Sequence, residues 1–305
     1  MNCGISCIQV FSAEVQTGGL SIHKQELCMT TTLVTGANGQ NGSPLVDLLA
    51  AQGQTVRRAT SRTPTQAGEV HLNLATGEGL AAALADVDQL FLLAPSGYSN
   101  HHELLIPTID AAKAAGVRKV LLMSAMGANA DDSIPLRRAE LHLERSGLAW
   151  NVIRPNWFMQ NFHTFWLQGI QTQGQILLPV GAAKGSFIDT RDVAAVAAKL
   201  LSSDDFVNQS HDLTGSEAFD HTQVAAILSK AAGRTIGYTD VPEDAMRQGL
   251  LGAGLPADYA EFLLAILGAF KTGYAERTTD AVQRITGKAP IRLEQYAQDF
   301  KAHWA

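Results

Sequence analysis

The sequence predicts an α/β protein, a Rossmann-like doubly wound parallel sheet with a smaller mixed C-terminal lobe. Three observations carry that expectation. Short apolar runs alternate with helical segments from Thr32 to Pro155. Three glycines, Gly36, Gly39 and Gly42, stand between the first apolar run and the first helix. Beyond about residue 165 the alternation gives way to a looser mixture of polar stretches, short strands and helices. Strand–helix alternation gives a parallel sheet covered on both faces, because each right-handed crossover lays a helix on the sheet.

The elements follow in order. Thr32–Thr35 reads as a strand, and Asn41–Gln52 as a helix with Leu45, Leu48 and Leu49 on one face and Gly53 past its end. Thr55–Ser61 and Val70–Leu74 are strands, and Gly79–Leu84 begins a helix. Gln89–Leu93 is a continuous apolar run, the mark of a strand buried on both faces. The helix Glu103–Ala115 ends at Gly116, and Lys119–Met123 is the next buried strand. Leu136–Arg145 is a helix stopped by Gly147, and Ala149–Ile153 a strand stopped by Pro155. Later come strands at Ile176–Pro179, Phe187–Ile188, His211–Thr214 and Ile236–Asp240. Helices are expected at Asp192–Leu201, from Asp220 through Ala231, and near Glu243–Leu250 and Asp258–Lys271. Asp220 and Gln223 form a capping-box pattern.

The organisation that results is an extension over residues 1–28, a nucleotide-binding domain over 29–165, and a smaller interlocked substrate lobe over 166–305. Part of 176–215 is free to return to the sheet. The extension reads as standing outside the fold, disordered or not native, with Met29 as the natural start. It lacks the basic start of a secretory signal and the Arg-rich pattern of a mitochondrial presequence.

Composition excludes several classes. Hydrophobic residues make up 46% and charged residues 17%, which suits a soluble globular chain. Twenty-nine acids against 23 bases give a net charge of −6, so no nucleic-acid surface is expected. No apolar run approaches the ~20 residues a bilayer span requires, and a cytoplasmic location follows from the absence of a signal. Cys3, Cys7 and Cys28 all precede Met29, so no disulfide framework or thiol nucleophile serves the body of the chain. No metal site is expected: His102-Glu103 opens an HExxH-like string, but Ile106 stands where the second histidine belongs. The histidines read mostly as surface or cap groups.

The strongest motif is Thr35-Gly36-Ala37-Asn38-Gly39-Gln40-Asn41-Gly42, which leaves a strand and opens a helix. Gly36 permits the tight turn, Gly39 lets the backbone approach a pyrophosphate, and Gly42 lets the helix pack closely. In an NAD site an acid about 20 residues further on holds the ribose 2′-hydroxyl. Here no acid lies between Asp47 and Glu69, whereas Arg57, Arg58, Ser61 and Arg62 cluster at the end of the second strand. A guanidinium there pairs with a 2′-phosphate, so NADP (NADPH) is the expected cofactor. Arg62 is the first choice. Arg57 and Arg58 alternate in facing, so at most one of them meets the ligand.

The absences narrow the chemistry. None of Tyr98, Tyr238, Tyr259, Tyr274 and Tyr296 has Lys four residues later, so the Tyr-x-x-x-Lys pair of typical short-chain dehydrogenases is missing. There is no GxSxG elbow. A sugar-nucleotide epimerase, which needs that tyrosine as base, is disfavoured.

Thr35–Gly42, Ser124-Ala125-Met126-Gly127, Ser146-Gly147-Leu148 and Ile153-Arg154-Pro155-Asn156-Trp157-Phe158-Met159-Gln160-Asn161 occur in that order. Together with Ile188–Ala194 and Gly233-Arg234, they resemble the NmrA-like branch of the atypical short-chain dehydrogenases from about residue 30 to the C-terminus. That group includes NADPH-dependent quinone oxidoreductases, dye-reducing and isoflavone-reductase-like enzymes, and non-catalytic NADP(H) sensors. The resemblance implies NAD(P) binding more firmly than any one reaction. Many catalytic relatives carry a lysine four residues before the glutamate matching Glu140, and here that position is Leu136.

In a doubly wound sheet the ligand lies across the carboxyl ends of the strands. Asn73 and Leu74 are then expected to border the adenine, and Ala94 and Pro95 the nicotinamide ribose. Ser124, the candidate catalytic residue, and Ala125 are expected near the nicotinamide, with Pro155 in the closing turn. Asn156, Trp157, Phe158, Asn161 and His163 are the candidate substrate contacts, their rings suited to a flat apolar acceptor. Trp157 and Phe158 equally fit a core that joins the lobes. Leu250, Leu251, Phe262 and Leu263 suit either an apolar pocket or the small lobe's own core. Two functions fit: hydride transfer to a small apolar acceptor such as a quinone or conjugated dye, or a redox sensor acting through a protein partner.

Overall fold

Seven strands of one sheet, all parallel, set the architecture of the computed structural model, which describes residues 8–11, 24–27 and 30–304. In chain order the first elements are β1 (Ile8–Phe11) and β2 (Lys24–Leu27), an antiparallel pair separate from the main sheet. The rest of the N-terminal extension, with its cysteines and Met29, lies outside the described residues. Then follow β3 (Thr31–Val34), α1 (Gly42–Ala51), β4 (Thr55–Thr60), β5 (Glu69–His71), α2 (Leu80–Leu84) and β6 (Gln89–Leu93). After these come α3 (His101–Ala114), β7 (Lys119–Met123), α4 (Pro135–Glu144) and β8 (Ala149–Pro155). The second half holds α5 (Leu167–Gln173), β9 (Gln175–Leu178), α6 (Thr190–Ser202), β10 (Gln209–Leu213), α7 (His221–Ala232) and β11 (Gly237–Asp240). It ends with α8 (Glu243–Gly252), α9 (Ala257–Lys271), α10 (Ala281–Thr286) and α11 (Leu293–Asp299).

The sheet order is β5-β4-β3-β6-β7-β8-β10. The order reverses between β3 and β6, so the ligand crevice belongs at the carboxyl ends of those two strands. Alternation sorts the side chains. Val34 and Phe91 face α1, α6 and α10, whereas Leu33, Leu90 and Leu92 face α3 and α4. Both faces are apolar because both are covered. The chain returns to the sheet through α6 and β10, then leaves again for the smaller lobe. There β9 and β11 pair in parallel, and the core is aromatic: Phe162, Phe187, Phe270, Tyr296 and Trp304 are all buried. No helix among the described residues is long and apolar enough to cross a membrane.

Several local expectations need correction. On α1, Leu48 is exposed and Val46 joins Leu45 and Leu49 in the core; both trios fit one face of a helix, and packing against α6 selects the one with Val46. β8 runs two residues beyond the expected Ile153 and stops at Pro155, which pairs with Leu213 as its last residue. The core stripe of α9 is Ala260, Leu264, Leu267 and Phe270, while Phe262 and Leu263 are half-buried, Leu251 is exposed, and α8 buries no residue. The histidines are not mainly surface groups: His102, His211 and His221 are buried, and His163 is half-buried. The expected capping box of α7 is present, with Asp220 and Gln223 satisfying each other's backbone amides.

Candidate cofactor and active site

The loop between β3 and α1 is closed by its own backbone. Gly39 N donates to Gly36 O at 2.9 Å, and Ser43 N to Gly39 O at 3.0 Å. Gly36 adopts φ +61°, a conformation that favours glycine. A Cβ at Gly42 would stand 2.2 Å from Gly36 O, so only glycine lets the helix begin this close to the turn. The amides of the first turn of α1 point into the crevice end of the sheet, the usual seat of a phosphate. Thr35 serves the fold: its hydroxyl receives Leu93 N at 2.7 Å and ties β3 to β6.

The end of β4 sorts its arginines. Arg57 turns away and donates to Ala83 O and Ala85 O, at 2.8 and 2.6 Å, capping α2. Arg58 turns toward the loop and donates to Asn38 Oδ1 at 2.5 Å. Asn38 Nδ2 in turn donates to Glu69 Oε1 at 2.9 Å. Glu69 also accepts from Thr65 N and Gln66 N, and those bonds with Asn38 hold its carboxyl down at about 2. Sequence reasoning missed this bracing of Asn38, since its three members lie up to 31 positions apart. Ser61 and Arg62 are exposed, and the Arg62 guanidinium makes no hydrogen bond or ion pair among the described residues. Arg62 is therefore available to a 2′-phosphate, whereas Arg58 is already engaged with the loop.

Further along the crevice, Asn73 and Leu74 follow β5, both half-buried; Asn73 Oδ1 accepts from Ala75 N at 3.0 Å. Ala94 and Pro95 leave β6, half-buried. Ser124 follows β7 with its amide on Ile153 O at 2.8 Å. Its buried Oγ reaches hydrogen-bond geometry to no neighbour. Ala125 beside it is half-buried, and Pro155 O accepts from Met126 N at 3.0 Å.

A nicotinamide dinucleotide fits what these residues leave open. The glycine cradle excludes any side chain. Two buried polar atoms at the carboxyl ends of the strands, Asn41 Oδ1 in the cradle and Ser124 Oγ after β7, lack protein partners, and such atoms are rarely left so in a finished site. Gln40 beside Asn41 is half-buried.

Of the five candidate substrate contacts, the structure brings Trp157 and Phe158 to the carboxyl edge and commits two others elsewhere. Asn156 is buried; its Nδ2 donates to Ser186 Oγ and Ala275 O, at 2.7 and 2.8 Å, and its Oδ1 accepts Trp157 N. That makes it a staple between β8 and the small lobe. His163 turns to α11, with Nδ1 2.7 Å from Tyr296 Oη and its ring stacked on Phe300 and His303. Asn161 is buried within the turn. Phe158 packs on the core beneath α1 and α6, and Trp157 stacks on Trp166, edge-on to Phe270. The turn thus joins the lobes and borders the site together. An aromatic ring that no sequence motif signalled stands beside it: Tyr274, against Gly127 and in contact with Trp157.

Residues 36–204 match the family of NAD(P)H-binding domains. An uncharacterised oxidoreductase of Bacillus subtilis, YesF, is 34% identical over 276 residues, which cover 89% of this chain and 96% of that one. The NAD(P)H azoreductase of Xenophilus azovorans is 32% identical over 285 residues, 90% of this chain and 98% of the relative. Among solved structures, the NADPH-dependent quinone oxidoreductase QOR2 of Escherichia coli, complexed with NADPH, superposes with a TM-score of 0.70. It shares 24% identity, over 88% of this chain and 99% of that one. With its glycine cradle at the β3/β6 switch point and its Arg154–Asn161 turn at the carboxyl edge, the chain belongs to the NAD(P)H-binding family.

Proposed function

We propose that the protein is an NADPH-dependent reductase that delivers hydride to a small, flat, apolar acceptor such as a quinone or an azo dye. The observation that carries this reading is the juxtaposition of a glycine cradle too tight for side chains at Gly36 and Gly42 with an aromatic turn at the same edge of the sheet. The full-length similarity to an azoreductase supports the same class of acceptor. The exposed, unengaged Arg62 past the end of β4 favours NADPH over NADH.

The chain's own part is binding and orientation. The first turn of α1 and the cradle glycines hold the pyrophosphate, and Arg62 holds the 2′-phosphate. NADPH bound there supplies a hydride from its nicotinamide. Ala94, Pro95, Ser124 and Ala125 border the nicotinamide end, and Trp157 and Phe158 exclude water above it. Holding the two reactants in contact is the main source of acceleration. The setting proposed is the cytoplasm, with a small molecule as partner and neither nucleic acid nor membrane.

A second reading, a non-catalytic NADP(H) sensor with a protein partner, draws on Leu136 in place of a lysine and on the missing Tyr-x-x-x-Lys pair. One experiment separates the two. After NADPH binding is established, its consumption is followed with simple quinones, an azo dye and a triphenylmethane dye. Turnover on any acceptor supports the reductase. Tight binding without turnover across the panel moves the assignment to the sensor.

A further inference from the structure

Tyr274 stands in the turn after α9, a segment fastened to the end of β8. The next residue's carbonyl, Ala275 O, accepts from Asn156 Nδ2 at 2.8 Å and from Ser186 N at 2.9 Å. The Tyr274 ring lies over Gly127, so that a Cβ at that glycine would meet Tyr274 Cε2 at 3.3 Å. Gly127, at φ +89°, stands three residues beyond Ser124. The Tyr274 hydroxyl accepts Trp157 Nε1–H at 3.1 Å. One phenol ring thus bridges the segments that follow β7 and β8, beside the proposed nicotinamide end. Its oxygen has used a lone pair on Trp157, and its own proton has no acceptor among the described residues. Burial pushes the phenol above its usual value, so it is a neutral donor at physiological pH.

We propose that Tyr274 is the proton donor of the reaction, its Oη–H protonating the oxygen of a quinone or the nitrogen of an azo bond as hydride arrives. This rests on the reductase reading above. With a quinone, NADPH is oxidised to NADP+ and its hydride forms an O–H bond at one carbonyl oxygen, the C=O π bond breaking and the ring electrons shifting so that charge gathers on the other oxygen. That oxygen takes the Tyr274 proton to complete the hydroquinone, and the tyrosinate regains a proton from water. A cationic triphenylmethane dye differs in kind. It takes hydride at its central carbon and becomes neutral, so it needs no proton.

Tyr274→Phe keeps the ring over Gly127 and removes only the donor. With menadione as acceptor its turnover falls about a hundredfold, the ordinary contribution of a positioned acid. With malachite green, turnover changes less than about threefold, since that reaction consumes no proton. Menadione binding to the cofactor-free protein, read from tryptophan fluorescence, weakens by about threefold to tenfold with loss of the hydrogen bond. Equal loss on both acceptors, or unchanged menadione turnover and binding, overturns the proposal. Wild-type protein that turns over none of the quinone, azo and triphenylmethane acceptors overturns the reductase reading instead. Should Tyr274→Phe fail to fold, Trp157→Phe removes the N–H that orients the hydroxyl. It lowers the ratio of menadione to malachite green turnover several-fold, and an unchanged ratio overturns the assignment.

Discussion

Arg154 of β8 and Glu140 of α4 form a two-pronged ion pair in the interior. Arg154 Nε meets Glu140 Oε1 at 2.9 Å, and Nη2 meets Oε2 at 2.7 Å. Glu140 is fully buried and Arg154 is 6% exposed. Arg137 adds a third bond to Oε2 at 2.9 Å. Burial opposes ionisation of Glu140, but the hydrogen bonds from Arg154 and its neighbours win and hold the carboxyl below its ordinary value. The pair pins α4 to the strand that carries the Trp157 turn.

Removing Glu140 leaves the buried Arg154 guanidinium with only a longer contact to Asp212, at 3.5 Å. Glu140→Ala is expected to cost about 3–5 kcal/mol in urea unfolding. Arg137→Ala leaves the Arg154 fork intact and removes one of three bonds to Glu140 from the pair's outer edge, where Arg137 is 18% exposed, so about 1 kcal/mol is expected. Because the folded-state value of Glu140 is depressed, its contribution is present above the unfolded value and lost as pH falls through the folded one. Equal losses for the two variants would show that the fork is not the dominant restraint.

Gly42→Ala tests the cradle. The added Cβ would stand 2.2 Å from Gly36 O and 2.8 Å from Ala37 Cα, and both are backbone atoms that cannot swing aside. Alanine is the better helix former by about 1 kcal/mol, so α1 itself gains. The loop must open, and NADPH affinity should fall by at least about a hundredfold, the loss of two charge-assisted hydrogen bonds to phosphate. Calorimetric titration checks this. Unchanged affinity would mean that phosphate does not sit on this turn.

Arg62 and Arg58 answer different questions. Arg62→Ala should weaken NADPH binding by about 1.5–3 kcal/mol, the range for hydrogen bonds to a charged group, and leave NADH nearly untouched. Arg58→Ala frees Asn38 from one side of its brace, so both cofactors should weaken together and by less. Equal loss of NADPH and NADH on Arg62→Ala would assign Arg62 to the fold.

Much of this site was legible because local rules govern it. A strand, a glycine turn and a helix in succession define the cradle without tertiary information, and six of the seven parallel strands follow from the same alternation, β10 coming from the stretch that returns to the sheet. The contacts that cross the chain were not legible. Asn156 reads as a substrate residue until Ala275, 119 positions later, is seen to take its amide. Tyr274 carries no motif, and its place beside Gly127 depends on how the turn after α9 folds back onto the sheet. Arg57 and Arg58 alternate as strand residues must, yet only the packing of α2 shows which one caps a helix.

His221, at the start of α7, is enclosed by rings of Phe162, Trp166, Phe187, Tyr238 and Phe270, and neither of its nitrogens has a partner. Burial lowers its value from 6.5 to about 4, with Asp220 opposing weakly. A histidine depressed on folding is held neutral, so its share of stability is complete above about 6.5. That share is lost as pH falls toward 4, on the order of 3 kcal/mol over that window. His163 and His211 are lowered to about 4 as well, so acid should loosen both lobes through the same interval. His221→Phe places an aromatic ring among aromatic rings and removes one of these protons. Urea unfolding at pH 7 should change little for this variant, whereas at pH 4.5 it should be more stable than wild type. An acid limb as steep as the parent's would show that protonation of this ring is not what opens the small lobe.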